Sequence, residues 1–494
     1  MQNKQVIILM TDTTRFDMLG CYGNARAHTP NLDQLAREGL RFDYAYTCQP
    51  VCGPARSAMF TGLFPHSNGS WSNSMPLGDN VKTLGQRLSD NGIHSAFIGK
   101  WHLDGGDYFG LGRCPNGYDP AYFYDMKLYL EELTEGERLK SRDKHLMERE
   151  DIDERFTFAH RCSDRAIQFL TANENTDFCL TVSYDEPHDP CLCPQPYASM
   201  FDGAALETPE NVLDTLEGKP EHQQVWSGIR RMLDRSQIKL SGSTYQGCNS
   251  YVDYEIGRVL DSIKRFAPDA LIIFSSDHGE MLESHSLSCK GPAPYDEITR
   301  IPFLVKGGAA DAVCKHPASH IDIVPTVLDY MGIPLPRLLE GRSMLPCIHD
   351  PAARVNEHIF LEFGRYEVDH DGFGGFQPLR CVFDGRYKLC VNLLTSDELY
   401  DLQTDPGEMQ NLIDCPETAE IRNALHDALL DWQNRTRDPF RGYYWERRPW
   451  RTDAAPANWR HTGYTRQREN EEYEPRQLDY NTGLPMVEAT REKS

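Results

Sequence analysis

Short apolar runs alternate with longer amphipathic segments through the first two thirds of the chain. Residues 6–10 form an apolar run that stops before Asp12. Similar runs predict four further strands, at 95–99, 178–183, 270–275 and 301–305. Apolar residues at helical spacing predict helices at 30–39, 81–91, 164–172, 250–265 and 321–331. This alternation predicts an α/β fold with a large, doubly wound and mostly parallel sheet.

Polar residues follow four of the predicted strands at the point where each strand ends. The four clusters begin at Asp12, Lys100, Tyr184 and Asp277. Functional groups of doubly wound folds collect beyond the carboxyl ends of the parallel strands. We therefore expect the four clusters to converge on one crevice.

The pattern changes near His358. Three short strand-like runs bounded by turn residues precede a predicted helix, at 359–363, 379–383, 387–393 and 419–435. A chain of 494 residues is also too long for one hydrophobic core. We predict a large domain over 1–355 and a smaller C-terminal α+β domain over 356–494, with an antiparallel sheet, one helix and an irregular tail.

The net charge and the cysteine content limit which binding partners and which cellular location are expected. The formal net charge of −23 argues against nucleic acid, and it requires that cations be concentrated locally if the substrate is an anion. No apolar run approaches the roughly 18 residues of a membrane helix, so no membrane partner is expected. The first residues do not form a signal peptide, and the fifteen cysteines are most simply free thiols, which predicts a cytoplasmic protein.

The stretch Cys52-Gly53-Pro54-Ala55-Arg56 carries the strongest chemical signal. Its pattern, C-x-P-x-R, resembles the signature of type I, formylglycine-dependent sulfatases. Six more stretches, in matching order, resemble motifs of that family: 29–33, 99–102, 187–188, 276–280, 290–291 and 398–401. A five-residue pattern such as C-x-P-x-R also occurs by chance, whereas seven motifs in the same order are specific to the family. The chain is identified as a member of the alkaline phosphatase-like superfamily, with residues 1–355 as its catalytic domain.

The resemblance implies a modified nucleophile and a metal ion. In this family a formylglycine-generating enzyme, or an anaerobic sulfatase-maturating enzyme, oxidises the cysteine that matches Cys52, and the hydrated aldehyde attacks sulfate. Asp12, Asp277, His278 and the modified Cys52 would bind a divalent cation that neutralises the sulfate oxygens. Ca²⁺ is the usual metal of sulfatases, while the histidine ligand keeps Mn²⁺ and Mg²⁺ open.

The resemblance also implies roles for five basic residues. Arg56 follows Cys52 by one helical turn and would hold the charged site together. Lys100 and Lys290 would bind the sulfate group. His188, with Lys290, would protonate the leaving oxygen, and His102 would act as the base that breaks down the sulfated intermediate.

One departure from the family pattern leaves alternatives open. Many sulfatases have two adjacent carboxylates after the first strand, whereas here Thr13 follows Asp12. Together with His278, this also resembles phosphonate monoester hydrolases, which use the same modified cysteine. A phosphonate monoester or phosphodiester hydrolase and a catalytically inactive sulfated-sugar-binding protein are therefore alternatives. His285 has either a supporting or a purely structural role.

The predicted substrate is a sulfated sugar. The charged segment 365–371, followed by a glycine-rich run, could bind hydroxyl and carboxylate groups, with Arg365 and His370 as contacts. Asp104 and Asp107, just beyond His102, could also face a sugar. We expect an exo-acting carbohydrate sulfatase that works on sulfated mono- or disaccharides, such as fragments of glycosaminoglycans.

Overall fold

A seven-stranded sheet lies at the centre of the larger unit in the computed structural model, which describes residues 3–73, 75–105, 108–143, 146–149, 151–202, 209–228, 242–367 and 375–454. The strands along the chain are β1 Gln5–Thr11, β2 Leu40–Phe42, β3 Ala45–Tyr46, β4 His94–Gly99, β5 Phe178–Ser183, β6 Leu271–Ser276, β7 Phe303–Lys306, β8 Ala312–Cys314, β9 Ala318–Ser319, β10 Ile359–Phe363, β11 Leu379–Phe383, β12 Tyr387–Asn392 and β13 Glu398–Asp401. The helices are α1 Pro30–Arg37, α2 Cys52–Thr61, α3 Pro65–Asn68, α4 Leu84–Ser89, α5 Met126–Glu132, α6 Glu135–Lys140, α7 Leu146–Arg149, α8 Phe158–Asn173, α9 Glu221–Ser227, α10 Gly242–Phe266, α11 Asp296–Thr299, α12 Ile323–Met331, α13 Leu345–His349, α14 Ala419–Arg435 and α15 Tyr443–Glu446.

The central sheet has the strand order β4-β5-β1-β6-β7-β2-β8. β1 pairs in parallel with both β5 and β6, and β4 pairs in parallel with β5. β7 runs antiparallel to its neighbours β6 and β2. The predicted doubly wound, mostly parallel sheet is therefore confirmed, with an antiparallel strand that the sequence pattern did not indicate.

Side chains of β1 alternate between two layers of helices. Ile7 and Leu9 pack in the cluster that includes α8 and α10, whereas Val6, Ile8 and Met10 pack in the cluster that includes α2 and α12. Both faces of the strand are thus buried, which explains why it is a continuous apolar run in the sequence. The first polar positions come only where the strand ends.

The five strands predicted for this unit form within two residues of their expected bounds. The helix bounds differ more. α4 begins after Thr83, whose Oγ1 accepts the N–H of Gln86 at 3.3 Å while Gln86 Oε1 accepts the N–H of Thr83 at 2.8 Å. This reciprocal cap starts the helix later than its apolar pattern does. α10 begins at Gly242, well before the predicted position 250.

Strands β10 to β13 form a second, four-stranded antiparallel sheet in sequential order. α14 packs on it through Leu425, Leu429 and Trp432, which share a buried cluster with Val382 and Val391 of the sheet. The predicted small antiparallel sheet with its helix is confirmed.

The boundary between these units stays a prediction. β10 begins at Ile359, close to the predicted boundary between residues 355 and 356. Most of the predicted irregular tail, residues 455–494, lies outside the described residues. In the part of the chain that is described, no helix is both long and apolar enough to cross a bilayer.

Candidate active site

Helix α2 has Cys52 as its first residue. Pro54 lies in the first turn, and Gly62 ends the helix in a left-handed conformation with φ 69°. Gly53 donates its N–H to Asn73 Oδ1 at 2.8 Å, and a Cβ at position 53 would lie only 3.1 Å from that oxygen. The local sequence thus fixes where the helix begins, and with it the position of Cys52.

Three residues that follow β1 and β6 surround Cys52. Because these two strands pair in parallel and end in register, Asp12 and Asp277 emerge side by side. Cys52 Sγ lies 3.2 Å from His278 Nε2 and 3.8 Å from Asp12 Oδ1. All four residues are buried, and one ligand atom from each lies within 4.8 Å of the other three. The structure therefore brings together the four residues that the sequence predicted as metal ligands.

The donor set of this centre fits a hard divalent cation. His278 Nδ1 donates to Gly279 O at 2.8 Å, so the lone pair of Nε2 faces the centre. Burial, together with the charge of Asp12, raises the pKa of Asp277 to about 6 because two carboxylates are crowded together. A cation between them would offset this repulsion. The two carboxylates suit Ca²⁺, Mn²⁺ or Mg²⁺, which all prefer oxygen ligands.

Arg56 links the two carboxylates. Its Nε lies 3.0 Å from Asp277 Oδ2 and its Nη2 lies 2.9 Å from Asp12 Oδ2, and all three side chains are fully buried. Nη1 donates to Lys100 O at 2.6 Å and to Ser183 Oγ at 2.8 Å, at the ends of β4 and β5. The guanidinium therefore joins the ends of four central strands and balances charge at the metal centre.

Two buried lysines lie beside position 52. Lys290 Nζ is 2.8 Å from Cys52 Sγ. Lys100 Nζ lies 2.7 Å from Asp12 Oδ2 and 3.0 Å from Asp185 Oδ1. Both lysines are 1% exposed, so their charges act in a site that water screens little.

The electrostatics of the site favour negative charge at position 52. Burial and the charge of Asp12 act to raise the pKa of the Cys52 thiol. The positive charges of Lys290 and Lys100 oppose both effects, and the thiol pKa lies well below its usual value. The same cations can stabilise an anion that binds next to Cys52.

Two histidines also reach this centre. His188 Nδ1 donates to Asp189 O at 2.9 Å, and its Nε2 lies 3.4 Å from Lys290 Nζ. His102 is close enough to Cys52 for that side chain to act on its pKa, and burial, the largest cause, lowers the pKa of His102. His102 is therefore neutral and able to accept a proton, while Nε2 of His188 is the ring atom directed at the site.

Tyr108 and Asp185 complete the site, and sequence reasoning did not select them. The Tyr108 hydroxyl donates to Asp185 and lies 3.2 Å from His188 Nδ1. Its ring lies over Lys100 Nζ, 4.0 Å from the ring centroid. Tyr108 belongs to a loop without hydrophobic periodicity. Its only signal in the sequence is that it follows the stretch 99–102 closely.

The residues predicted to contact a sugar lie on two separate segments of the sequence. Asp104 is half-buried, and its Oδ2 accepts the N–H of Leu111 at 2.7 Å within its own loop. His370 and Asp107 lie outside the described residues. Arg365 is two residues beyond the end of β10, at the start of the charged segment.

The start of that segment approaches the nucleophile through Tyr366. Asn73, which accepts the N–H of Gly53, donates its own N–H to Tyr366 O at 3.1 Å. Burial raises the pKa of the Tyr366 phenol, and the charges of Lys290 and Cys52 act on it as well. The small domain therefore contributes a phenol to the surroundings of position 52, which the sequence did not indicate.

Comparison with known proteins identifies the family. The sequence model described as "Sulfatase" matches residues 4–333, and the model described as "N-sulphoglucosamine sulphohydrolase, C-terminal" matches residues 293–435. A curated relative, the uncharacterized sulfatase YidJ of Escherichia coli, is 43% identical over 493 residues, with 98% of this chain and 97% of that protein covered.

Solved structures show the same fold. BT4656, in complex with its substrate D-glucosamine-2-N,6-O-disulfate, has a TM-score of 0.72 at 22% identity, covering 89% of this chain and 99% of that chain. Phosphonate monoester hydrolase of Agrobacterium radiobacter has a TM-score of 0.71 at 22% identity, covering 88% and 96%. The match over residues 4–333 and the 43% identical relative show the family as well as the fold. The chain therefore belongs to the sulfatase family and is a sulfuric ester hydrolase of the alkaline phosphatase-like superfamily.

Proposed function

We propose that this sulfatase is exo-acting and removes sulfate from sulfated mono- or disaccharides, such as glycosaminoglycan fragments, with formylglycine made from Cys52. The observation that carries the proposal is the buried cationic set at position 52, where Lys290 lies 2.8 Å from the sulfur. A sugar as leaving group is supported by the C-terminal match over residues 293–435, whose description names a sulphoglucosamine. The disulfated glucosamine bound by a protein of the same fold is consistent with it.

Formylglycine and a divalent cation would each contribute to the reaction. Formylglycine at position 52 supplies a nucleophile that can be regenerated after each turnover. A divalent cation, Ca²⁺ in this proposal, would be held by Asp12, Asp277, His278 and residue 52, and it supplies charge neutralisation for the sulfate oxygens.

The side chains of this protein bind the sulfate and move the protons. Lys100 and Lys290 neutralise the non-bridging oxygens from within a buried site. In its imidazolium form, His188 donates the Nε2 proton to the leaving oxygen and becomes neutral, while Asp189 O holds the Nδ1 proton. His102 accepts the proton that must leave residue 52 before sulfate can depart. Arg56 keeps the metal-binding carboxylates in place throughout.

Substrate selection is assigned to the loops around this rigid centre. Arg365, together with His370 and Asp104 from the sequence prediction, is proposed to contact the sugar. Tyr366 would form part of the wall beside the leaving group. Residues of the small domain, together with Asp104 of the large domain, would thus decide which sugar is accepted, while the large domain cleaves the ester.

A maturation enzyme of the formylglycine-generating or the anaerobic sulfatase-maturating kind is the proposed protein partner. Cys52 is 1% exposed and all of α2 is buried. The partner is therefore expected to act on Cys52 before the chain folds. The fifteen cysteines, all within the described residues, form no disulfide, which supports the cytoplasm as the proposed location.

One alternative within the superfamily has specific support. Thr13 takes the place of a second carboxylate, and the fold is shared with a phosphonate monoester hydrolase. A phosphonate monoester or phosphodiester hydrolase would use the same metal centre. An inactive sugar-binding protein is less favoured, since Cys52, Arg56 and Lys290 are all present and assembled.

A substrate panel tests the proposal. We expect formylglycine-bearing enzyme to release sulfate from at least one sulfated mono- or disaccharide with a higher kcat/KM than from nitrophenyl sulfate, a phosphonate monoester or a phosphodiester. The reason is that a site with hydrogen-bonding partners for a sugar discriminates strongly against leaving groups that lack them. A higher kcat/KM for the phosphonate or the phosphodiester would favour the alternative.

The same panel, run on Arg365→Ala, separates sugar binding from sulfate cleavage. On the preferred sugar we expect kcat/KM to fall by the equivalent of about 2–3 kcal/mol, with little change on nitrophenyl sulfate. Arg386→Ala is the matched control, because this exposed arginine pairs with Asp401 in the small domain. Equal losses on both substrates would assign Arg365 a structural role.

A further inference from the structure

The loop that carries Lys290 has an unusual backbone. It runs from the end of β6 to α11, and five of its residues other than glycine have φ between 44° and 75°: Leu282, Glu283, His285, Ser286 and Cys289. Residues with a Cβ adopt this left-handed region only at a cost in free energy. The surroundings of the loop must therefore hold it in place.

His285 lies at the centre of this support. It is fully buried, and its ring stacks on Tyr295 with the centroids 3.7 Å apart and the planes inclined by 13°. Nδ1 donates to Asp214 Oδ2 at 2.6 Å, and Nε2 accepts from Asn211 Nδ2 at 3.3 Å. A neutral imidazole uses both ring nitrogens in this arrangement, and burial lowers the pKa of His285, which keeps it neutral.

The partners of His285 belong to a segment, residues 209–228, that clamps the loop from outside the central sheet. Lys219 Nζ pairs with Asp214 at 2.5 Å and donates to Glu408 O at 2.6 Å, which ties the segment to the small domain. Trp226 Nε1 donates to Ser288 O at 3.2 Å, two residues before Lys290. Both halves of the loop are thus anchored to one scaffold.

We propose that His285 is a positioning residue for Lys290. Its ring, fixed by Asp214 and Tyr295, sets the path of the left-handed loop and so holds Lys290 Nζ beside position 52. His285 acts on the reaction only through Lys290. The inference rests on the sulfate-binding role of Lys290 stated above.

A double-mutant cycle on formylglycine-bearing enzyme, with nitrophenyl sulfate as the probe, tests this assignment. A displacement of about 1 Å at a catalytic group can cost about 100-fold in rate, so we expect His285→Ala to lower kcat/KM by about 10- to 100-fold. In the Lys290→Ala background the same change should lower it by less than about 2-fold. A nitrophenyl leaving group keeps the residual turnover measurable because it needs little protonation.

Two further variants separate positioning from folding. His285→Asn retains an N–H that can donate to Asp214, so it should recover most of the lost activity. His426→Ala removes another buried histidine, which donates to Trp445 O at 2.7 Å in the small domain. Below its unfolding temperature we expect that control to keep the wild-type kcat/KM.

The outcomes distinguish the positioning role of His285 from the sulfate-binding role of Lys290. Equal fold losses from His285→Ala in both backgrounds, or no loss in the wild type, would overturn the positioning role. Wild-type activity in Lys290→Ala alone would overturn the role of Lys290 and, with it, that of His285. Should His285→Ala not fold, the same cycle with Asp214→Asn, which weakens the acceptor of His285, decides between these results.

Discussion

Asp277→Asn is expected to lower kcat by at least about 1,000-fold. Asp277 Oδ2 accepts from Arg56 Nε at 3.0 Å, and Oδ1 accepts the N–H of Thr13 at 3.1 Å. An amide at this position loses the negative charge and turns an N–H toward the guanidinium. Metal binding and activation of the nucleophile would be lost together, and either loss alone costs several kcal/mol of transition-state stabilisation.

Asp253→Asn is the matched control for that variant. Asp253 is also a fully buried carboxylate, but it accepts the N–H groups of Asn31 and Leu32 at the start of α1. Its replacement loses one of these acceptors and should lower stability, but it should leave kcat within about 2-fold below the unfolding temperature because these partners belong to α1. Chelation of divalent cations should inactivate the wild type reversibly. Full activity of chelated enzyme would contradict the metal assignment.

Arg56→Met should abolish activity and also destabilise the fold by about 3–5 kcal/mol, the range found when one partner of a buried ion pair is removed. The change leaves Asp12 and Asp277 buried beside each other with no guanidinium between them. Thermal unfolding measured without added cations, with kcat measured on the same sample, checks both parts. Arg56→Lys should not restore activity, since an ammonium cannot contact both carboxylates in the same fork geometry.

Arg380→Met in the small domain serves as the comparison for Arg56. Arg380 pairs with Asp438 at 2.7 Å and is also buried, but it lies on strand β11 of the small antiparallel sheet. We expect similar destabilisation with kcat retained below the unfolding temperature. Retained activity in Arg56→Met, or wild-type stability, would show that Arg56 does not hold the two carboxylates together.

The proposed metal ligands Asp12, Asp277 and His278 could be predicted because they follow strands. A buried parallel strand is an apolar run, and the polar residue that ends it must lie at one edge of the sheet. This reasoning placed Asp12 and Asp277 in neighbouring clusters, and the parallel pairing of β1 with β6 brings them together. The antiparallel direction of β7 could not be predicted in this way, because an apolar run does not indicate how a strand is oriented relative to its neighbours.

The remaining parts of the site depend on how irregular loops fold back. Tyr108 reaches His188 and Asp185 from a loop with no periodic pattern. Asp214 meets His285 across 71 residues of sequence, and the contact exists only in the folded chain. Tyr108 and Asp214 are polar residues in loops that have no hydrophobic periodicity. The local sequence does not distinguish such residues from polar residues that only face solvent.

We propose that this sulfatase works only when residue 52 is formylglycine. The most direct test measures, on the same preparations, the mass of the peptide containing Cys52 and the rate of sulfate release. Conversion to the aldehyde should lower the peptide mass by about 18 Da, as loss of the sulfur and two hydrogens and gain of an oxygen require. We expect kcat to rise in proportion to the converted fraction and to vanish when no Cys52 is converted. Full turnover by a preparation whose Cys52 peptide is wholly unmodified would contradict it.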